Sequence, residues 1–88
     1  MPSLTPRQRQ VLLAWAEPTP PGYLPPAIQA ESQAADRRGH HAWGCWCAGL
    51  WRVLRTLATL GLVDLGSEVA TPARLTERGH QVAQELIR

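Results

Sequence analysis

Side chains that bind phosphate are concentrated in one central stretch of this 88-residue chain. Residues 37–55 include no aspartate or glutamate, and their arginines and histidines are Arg37, Arg38, His40, His41, Arg52 and Arg55. Guanidinium groups bind phosphate oxygens or the edge of guanine through paired hydrogen bonds. The pattern indicates a surface that binds nucleic acid, and Arg74, Arg7 and Arg9 are further candidates for contacts to the phosphate backbone.

The net charge of the chain indicates nucleic-acid binding less strongly than the distribution of its charged residues does. Nine arginines, no lysine and seven acidic residues give a formal net charge of +2, which is a small electrostatic footprint for a protein that binds nucleic acid. All seven acidic residues lie outside residues 37–55, so the positive charge is local.

Histidine and cysteine in the same stretch raise the question of a zinc site. Zinc-binding cysteines are usually separated by two to four residues, whereas Cys45 and Cys47 are separated by one. Two residues that are two apart on a helix point about 160° away from each other, so both thiols cannot reach one ion. We expect free thiols, no metal and no cofactor; a metal-dependent or redox sensor that uses both cysteines with His40 and His41 is a third hypothesis.

Tryptophan supplies four of the five aromatic side chains, and the chain contains no phenylalanine. Trp15, Trp43 and Trp46 fall on apolar helix faces and are predicted to lie in the core. Trp51 falls at the boundary of the apolar face of its helix. Two interpretations stay open: a half-buried side chain that supports the fold, or part of a docking surface for a partner or a second copy.

Several functional classes are excluded by simple patterns. No Gly-rich phosphate loop, nucleophile elbow or H-E-x-x-H motif is present, so we predict that the protein is not an enzyme. The longest uncharged, mainly apolar run, residues 42–51, is far shorter than the ~18 residues of a membrane span. The first residues contain no secretory signal, so we expect a cytoplasmic protein, and residues 1–88 are expected to form a single domain.

Capping signals and apolar periodicity predict three helices before residue 61. The first helix begins at Thr5-Pro6 with a capping box to Gln8 and ends at Glu17, and the second runs from residue 25 to 36. Residues 37–41 are predicted to form a turn, and the third helix covers about residues 44–60, with Gly61 at its end. Its apolar face contains Trp43, Trp46, Leu50, Val53, Leu54, Leu57 and Leu60. Its opposite face contains Cys45, Ala48, Arg52, Arg55 and Thr59.

The remaining third of the chain is predicted to form a hairpin and a last helix. Residues 62–65 and 69–75 read as short strands around a turn at 66–68, with Pro72 indicating an edge strand. Thr76 then caps a helix with Val82, Ala83, Leu86 and Ile87 on its apolar stripe. The predicted fold class is therefore mainly α with a small β-hairpin.

Four short motifs resemble known bacterial DNA-binding domains. Residues 4–12 (LTPRQRQVL), 22–26 (GYLPP) and 50–63 (LWRVLRTLATLGLV) resemble the N-terminal domain of the SOS repressor, and residues 75–80 (LTERGH) resemble the L-T-x-x-G segment of multiple-antibiotic-resistance-type regulators. Together they comprise 34 residues and are spread along the chain from residue 4 to residue 80. The resemblance implies a winged helix-turn-helix with the order α1-α2-α3-β-wing-β-α4, in which the third helix reads DNA.

Two functional hypotheses follow. In the first, the chain is a transcriptional regulator that binds double-stranded DNA through the third helix and its basic entrance, as a homodimer, because a monomer of this size reads only a short site. In the second, the winged helix is a protein-interaction module, an adaptor or inhibitor of a nucleic-acid machine, that binds through Trp43, Trp46 and Trp51.

Overall fold

The structure, a computed structural model, describes residues 3–19, 24–66 and 73–87. These ranges contain four α-helices and two short strands in the order α1 (Pro6–Ala16), α2 (Pro26–Arg37), α3 (His40–Thr59), β1 (Val63–Asp64), β2 (Arg74–Leu75) and α4 (Glu77–Ile87). The predicted mainly α architecture with a small hairpin is confirmed. Within the described ranges, no helix has both the length and the apolar character that crossing a membrane would require.

The start of α1 is fixed by the predicted capping box. The Thr5 hydroxyl accepts a hydrogen bond from the Gln8 amide at 3.1 Å, and the Gln8 side chain accepts one from the Thr5 amide at 2.9 Å. Pro6 occupies the first helical position, where an N–H would have no partner. The helix ends at Ala16, one residue before the predicted Glu17.

The connection between α2 and α3 is tighter than predicted. Arg37 is the last residue of α2, His40 and His41 are the first residues of α3, and only Arg38 and Gly39 lie between the helices. The predicted turn over residues 37–41 and the predicted helix start near residue 44 are therefore wrong. Gly39 precedes α3 with a φ of 116°, a backbone conformation that glycine adopts and that residues with a Cβ rarely do. The 20-residue α3 is about 30 Å long.

Aliphatic side chains rather than tryptophans form the core. The fully buried large side chains are Val11, Leu12, Ile28, Leu57 and Leu62, and Leu50, Leu54, Val63, Leu75 and Val82 pack with them. The predicted core position of Trp43 is wrong, because its side chain is 40% exposed, and Trp15 and Trp46 are only partly buried. Leu60, which directly follows α3, is exposed as well.

The first strand of the hairpin is shorter than predicted. β1 and β2 pair antiparallel, with Val63 opposite Leu75 and Asp64 opposite Arg74. β1 has two residues in place of the predicted four, and β2 contains Arg74 and Leu75 of the predicted 69–75. Residues 67–72, which include most of the predicted turn and Pro72, lie outside the described residues, as does the Gly22-Tyr23 part of the predicted loop after α1.

The Thr76 hydroxyl connects Gly61, which lies shortly before the hairpin, to the first turn of α4 through two hydrogen bonds. This hydroxyl donates to the Gly61 carbonyl at 2.6 Å and accepts from the Gly79 amide at 3.0 Å, so it caps α4 as predicted. Gly61 itself has a φ of 79° and ends α3. Gly79 is buried directly against the backbone of Leu62, where an added Cβ would overlap the Leu62 carbonyl oxygen.

Replacement of Gly79 tests this packing. We expect Gly79→Ala to lower the free energy of unfolding by about 2 kcal/mol or more, because the neighbouring atoms are backbone and cannot rotate away. Urea denaturation followed by circular dichroism measures the difference.

Gly44→Ala is the matched control. Gly44 lies within α3, and a Cβ there would meet no atom within 4 Å. The same substitution should raise the free energy of unfolding by about 0.5–1 kcal/mol through helix propensity alone. If both variants were equally stable, α4 would not pack against Leu62 as described.

Candidate nucleic-acid interface

One face of α3 forms a continuous exposed surface along the helix. Its residues recur at helical spacing and share one side of the helix. We call this surface the basic stripe: His41, Cys45, Ala48, Arg52, Arg55 and Thr59, all of them exposed. From His41 to Thr59 it extends about 27 Å. The face predicted for Arg52 and Arg55 is thus confirmed as solvent-facing, and the early start of α3 adds His41 to it.

The two arginines of the stripe are oriented by the helix and not by acidic neighbours. Within the described ranges, neither Arg52 nor Arg55 has a carboxylate oxygen within 4.0 Å. Their backbone carbonyls accept hydrogen bonds from the hydroxyls of Thr56 and Thr59 at 3.1 and 3.0 Å. Arg52, Arg55 and Trp51 line a cavity of about 410 Å³. A phosphate placed there would lie beside two arginines that have no carboxylate partner among the described residues.

The predicted basic entrance lies at the amino-terminal end of the stripe. Arg37, Arg38 and His40 are exposed at the junction of α2 and α3, and His41 begins the stripe itself. The two-residue connection keeps these four side chains close to one another along the chain. Arg37 and Arg38 place two positive charges next to the amino-terminal end of α3.

Arg74 and Arg7 differ from these cations because each has a carboxylate partner. Arg74 lies across the hairpin from Asp64, with Nε and Oδ2 4.0 Å apart, and both side chains are exposed. Such an exposed pair contributes little to stability and can separate when a phosphate approaches. Arg7 instead makes two hydrogen bonds to Glu31, at 2.7 and 2.8 Å, and is part of the fold rather than of a binding surface.

A second surface, which we call the Trp groove, runs along the flank of α3. It is a cavity of about 530 Å³ lined by Trp15, Leu24, Ser32, Trp43, Trp46, Cys47, Leu50, Trp51, Leu54 and Ala73. The indole N–H of Trp15 donates to the Ala73 carbonyl and that of Trp46 to Glu31, both at 3.0 Å. These two rings are therefore held in place, whereas Trp43 and Trp51 are exposed. Helical periodicity could not predict that Trp15, Leu24 and Ala73 line the same groove as the tryptophans of α3.

Glu31 connects α2 to both neighbouring helices. Its carboxylate accepts from Arg7 of α1 and from the Trp46 indole of α3. The hydrogen bonds from Arg7 lower the pKa of Glu31 despite partial burial, and the Trp46 hydrogen bond acts in the same direction. The hydrogen bonds that Arg7 donates to Glu31 raise the pKa of Arg7 in turn. The separation of 24 residues between Arg7 and Glu31 leaves no local signal in the sequence.

Comparison of the chain with protein-family models, with curated protein sequences and with solved structures returns no match.

The Glu31 contacts predict a pH-dependent stability. Glu31→Gln removes the charge but keeps an oxygen that can accept from Trp46, so we expect a loss of about 1 kcal/mol near neutral pH. Because the folded-state pKa is lowered, the contribution of the carboxylate is complete above the ordinary glutamate pKa of about 4.3. It is lost as the pH falls through the folded-state pKa. Urea unfolding of both proteins at neutral and acidic pH measures this difference.

Glu85→Gln provides the control, because Glu85 is an exposed residue of α4. The free energy of unfolding of the Glu85→Gln protein should equal that of the unmodified chain at each pH. A difference between Glu31→Gln and the unmodified chain that stayed constant into acid would contradict the role given to the Glu31 charge.

Proposed function

We propose that the chain is a winged helix-turn-helix domain that binds double-stranded DNA and acts as a transcriptional regulator. The order of helices and hairpin is compatible with this fold, with α3 as the recognition helix and the β1–β2 hairpin as the base of the wing. The observation that carries the proposal is the basic stripe: an exposed helix face with two arginines that have no carboxylate nearby among the described residues.

The dimensions of the stripe suit a DNA groove. The major groove is about 12 Å wide and admits an α-helix. Ala48, next to Arg52 on the stripe, is small enough to let the helix approach closely, while the two guanidinium groups reach outward to guanine edges or phosphates. A monomer covers only a few base pairs this way, so the proposal includes a homodimer on two half-sites one helical turn apart.

Residues other than the two stripe arginines hold the DNA backbone in this proposal. Arg37, Arg38, His40 and His41 contact phosphates at the entrance of α3, and Arg74 does so from the hairpin. If four or five groups engage phosphates, the logarithm of the affinity should fall against the logarithm of the salt concentration with a slope near −4, at ~0.9 per contact.

Substitution of the stripe arginines tests this function. Arg52→Ala and Arg55→Ala should each weaken binding to duplex DNA. A substitution that removes a phosphate contact should also make the slope of log affinity against log salt concentration shallower by about 0.9. Fluorescence anisotropy with a labelled random duplex at several salt concentrations measures both quantities.

Arg78→Ala is the charge-matched control, since Arg78 is an exposed residue of α4 outside the proposed interface. Its salt slope should equal that of the unmodified chain. Negligible DNA binding by the unmodified chain at low salt, or equal losses in all three variants, would rule out the basic stripe as the DNA-binding surface.

The Trp groove supports a second candidate, a protein-interaction module. Exposed tryptophans beside a cavity are typical anchors of protein interfaces, where aromatic residues contribute most of the binding energy. The groove would receive an apolar or aromatic segment of a partner protein, as in an adaptor or inhibitor.

Selection of displayed peptides against the purified chain distinguishes this candidate. Peptides that occupy the groove should carry large apolar side chains, lose binding to Trp43→Ser by about tenfold or more, and bind Arg52→Ala as well as the unmodified chain. Enriched peptides that bind Trp43→Ser unchanged would argue against the groove as an interface.

A further inference from the structure

Two metal-ligating side chains meet on the basic stripe. His41 and Cys45 lie one helical turn apart, and the His41 Nε2 and Cys45 Sγ atoms are 3.6 Å apart. Both residues are exposed. The contact exists because α3 begins at His40, which places His41 within the helix and directly below Cys45.

The distance between the two atoms matches the geometry of a zinc ion. Zinc lies about 2.3 Å from a cysteine sulfur and about 2.0–2.1 Å from a histidine nitrogen, in a tetrahedral arrangement. At the tetrahedral angle these bond lengths place sulfur and nitrogen about 3.5 Å apart. The side chains therefore already span one edge of a zinc tetrahedron without rearrangement of the backbone.

The chemistry of the pair selects the class of ion. Imidazole nitrogen and thiolate sulfur suit Zn²⁺ and similar softer ions, whereas Mg²⁺ and Ca²⁺ require oxygen ligands. The helix also separates this pair from the neighbouring residues of the same types. His40 and Cys47 project from other sides of α3, and no group of three or more potential ligands occurs among the described residues.

We propose that His41 and Cys45 form a two-residue binding site for Zn²⁺. The Cys45 thiol releases its proton to solvent, and its sulfur and His41 Nε2 bind the ion. Water fills the remaining positions, because the exposed side of the helix is open to solvent. The site takes one ion per chain, and it does not depend on whether the basic stripe binds DNA.

Titration with Co²⁺, a spectroscopic substitute for Zn²⁺, tests the site. Binding through Cys45 should produce a sulfur-to-cobalt charge-transfer absorption that reaches its maximum at one equivalent and disappears when Zn²⁺ is added. Cys45→Ser should abolish this absorption. His41→Ala should weaken binding at least about tenfold, because loss of even an outer-shell partner of a metal ligand costs about 10–100-fold.

The chain supplies matched controls on the same helix. His40→Ala and Cys47→Ser change the same residue types on other sides of α3, and both should retain the absorption and its affinity. Circular dichroism verifies that all four variants are folded. The proposal is overturned if excess Co²⁺ gives no charge-transfer absorption, or if the Cys47 and His40 variants lose it as completely as the Cys45 and His41 variants.

Alkylation of the thiols provides a second, independent measurement. Zn²⁺ should slow the reaction of Cys45 with iodoacetamide, and mass spectrometry of the resulting peptides distinguishes this site from Cys47. The rate at the partly buried Cys47 should not change. Equal protection of both cysteines, or protection of Cys45 that persists in His41→Ala, would contradict a shared ion.

Discussion

Three helices meet at the carboxylate of Glu31, and the placement of α3 depends on it. The second helix buries only Ile28 and Ala35 among its described side chains, so apolar packing alone holds it weakly against its neighbours. Two hydrogen bonds from Arg7 and one from Trp46 supply the missing attachment. Hydrogen bonds to a charged group are stronger than those between neutral groups, and Glu31 must stay ionised to accept all three.

Burial of one face of α3 sets the orientation of its two other surfaces. With Leu50, Leu54 and Leu57 buried against the core, the basic stripe must face solvent and the Trp groove must lie on the flank between them. Trp51 lines both the groove and the shallow cavity beside the arginines. Trp51 is therefore the residue at which the two surfaces adjoin.

Local signals allowed the sequence to predict much of the fold. The capping box at Thr5 and Gln8, and the spacing of Leu50, Leu54 and Leu57, act within a few residues and could be identified directly. The start of α3 could not, because Gly39 followed by two histidines is also typical of a turn. Periodicity places Trp43 on the apolar side of a helix, but it does not tell whether another element covers that side. The contact between Arg7 and Glu31 joins distant parts of the chain and leaves no local pattern.

The burial of α3 is unequal along its length. Its three buried side chains lie in the second half of the helix, while the first half, from His40 to Gly49, contains two glycines and no fully buried residue. Local unfolding requires less free energy where few apolar contacts are broken. Amide hydrogens in the first half should therefore exchange with solvent through partial opening of the helix, and those of Leu54 to Leu57 only when the whole domain unfolds. On this expectation the second half of α3 unfolds with the core, and the first half opens before it.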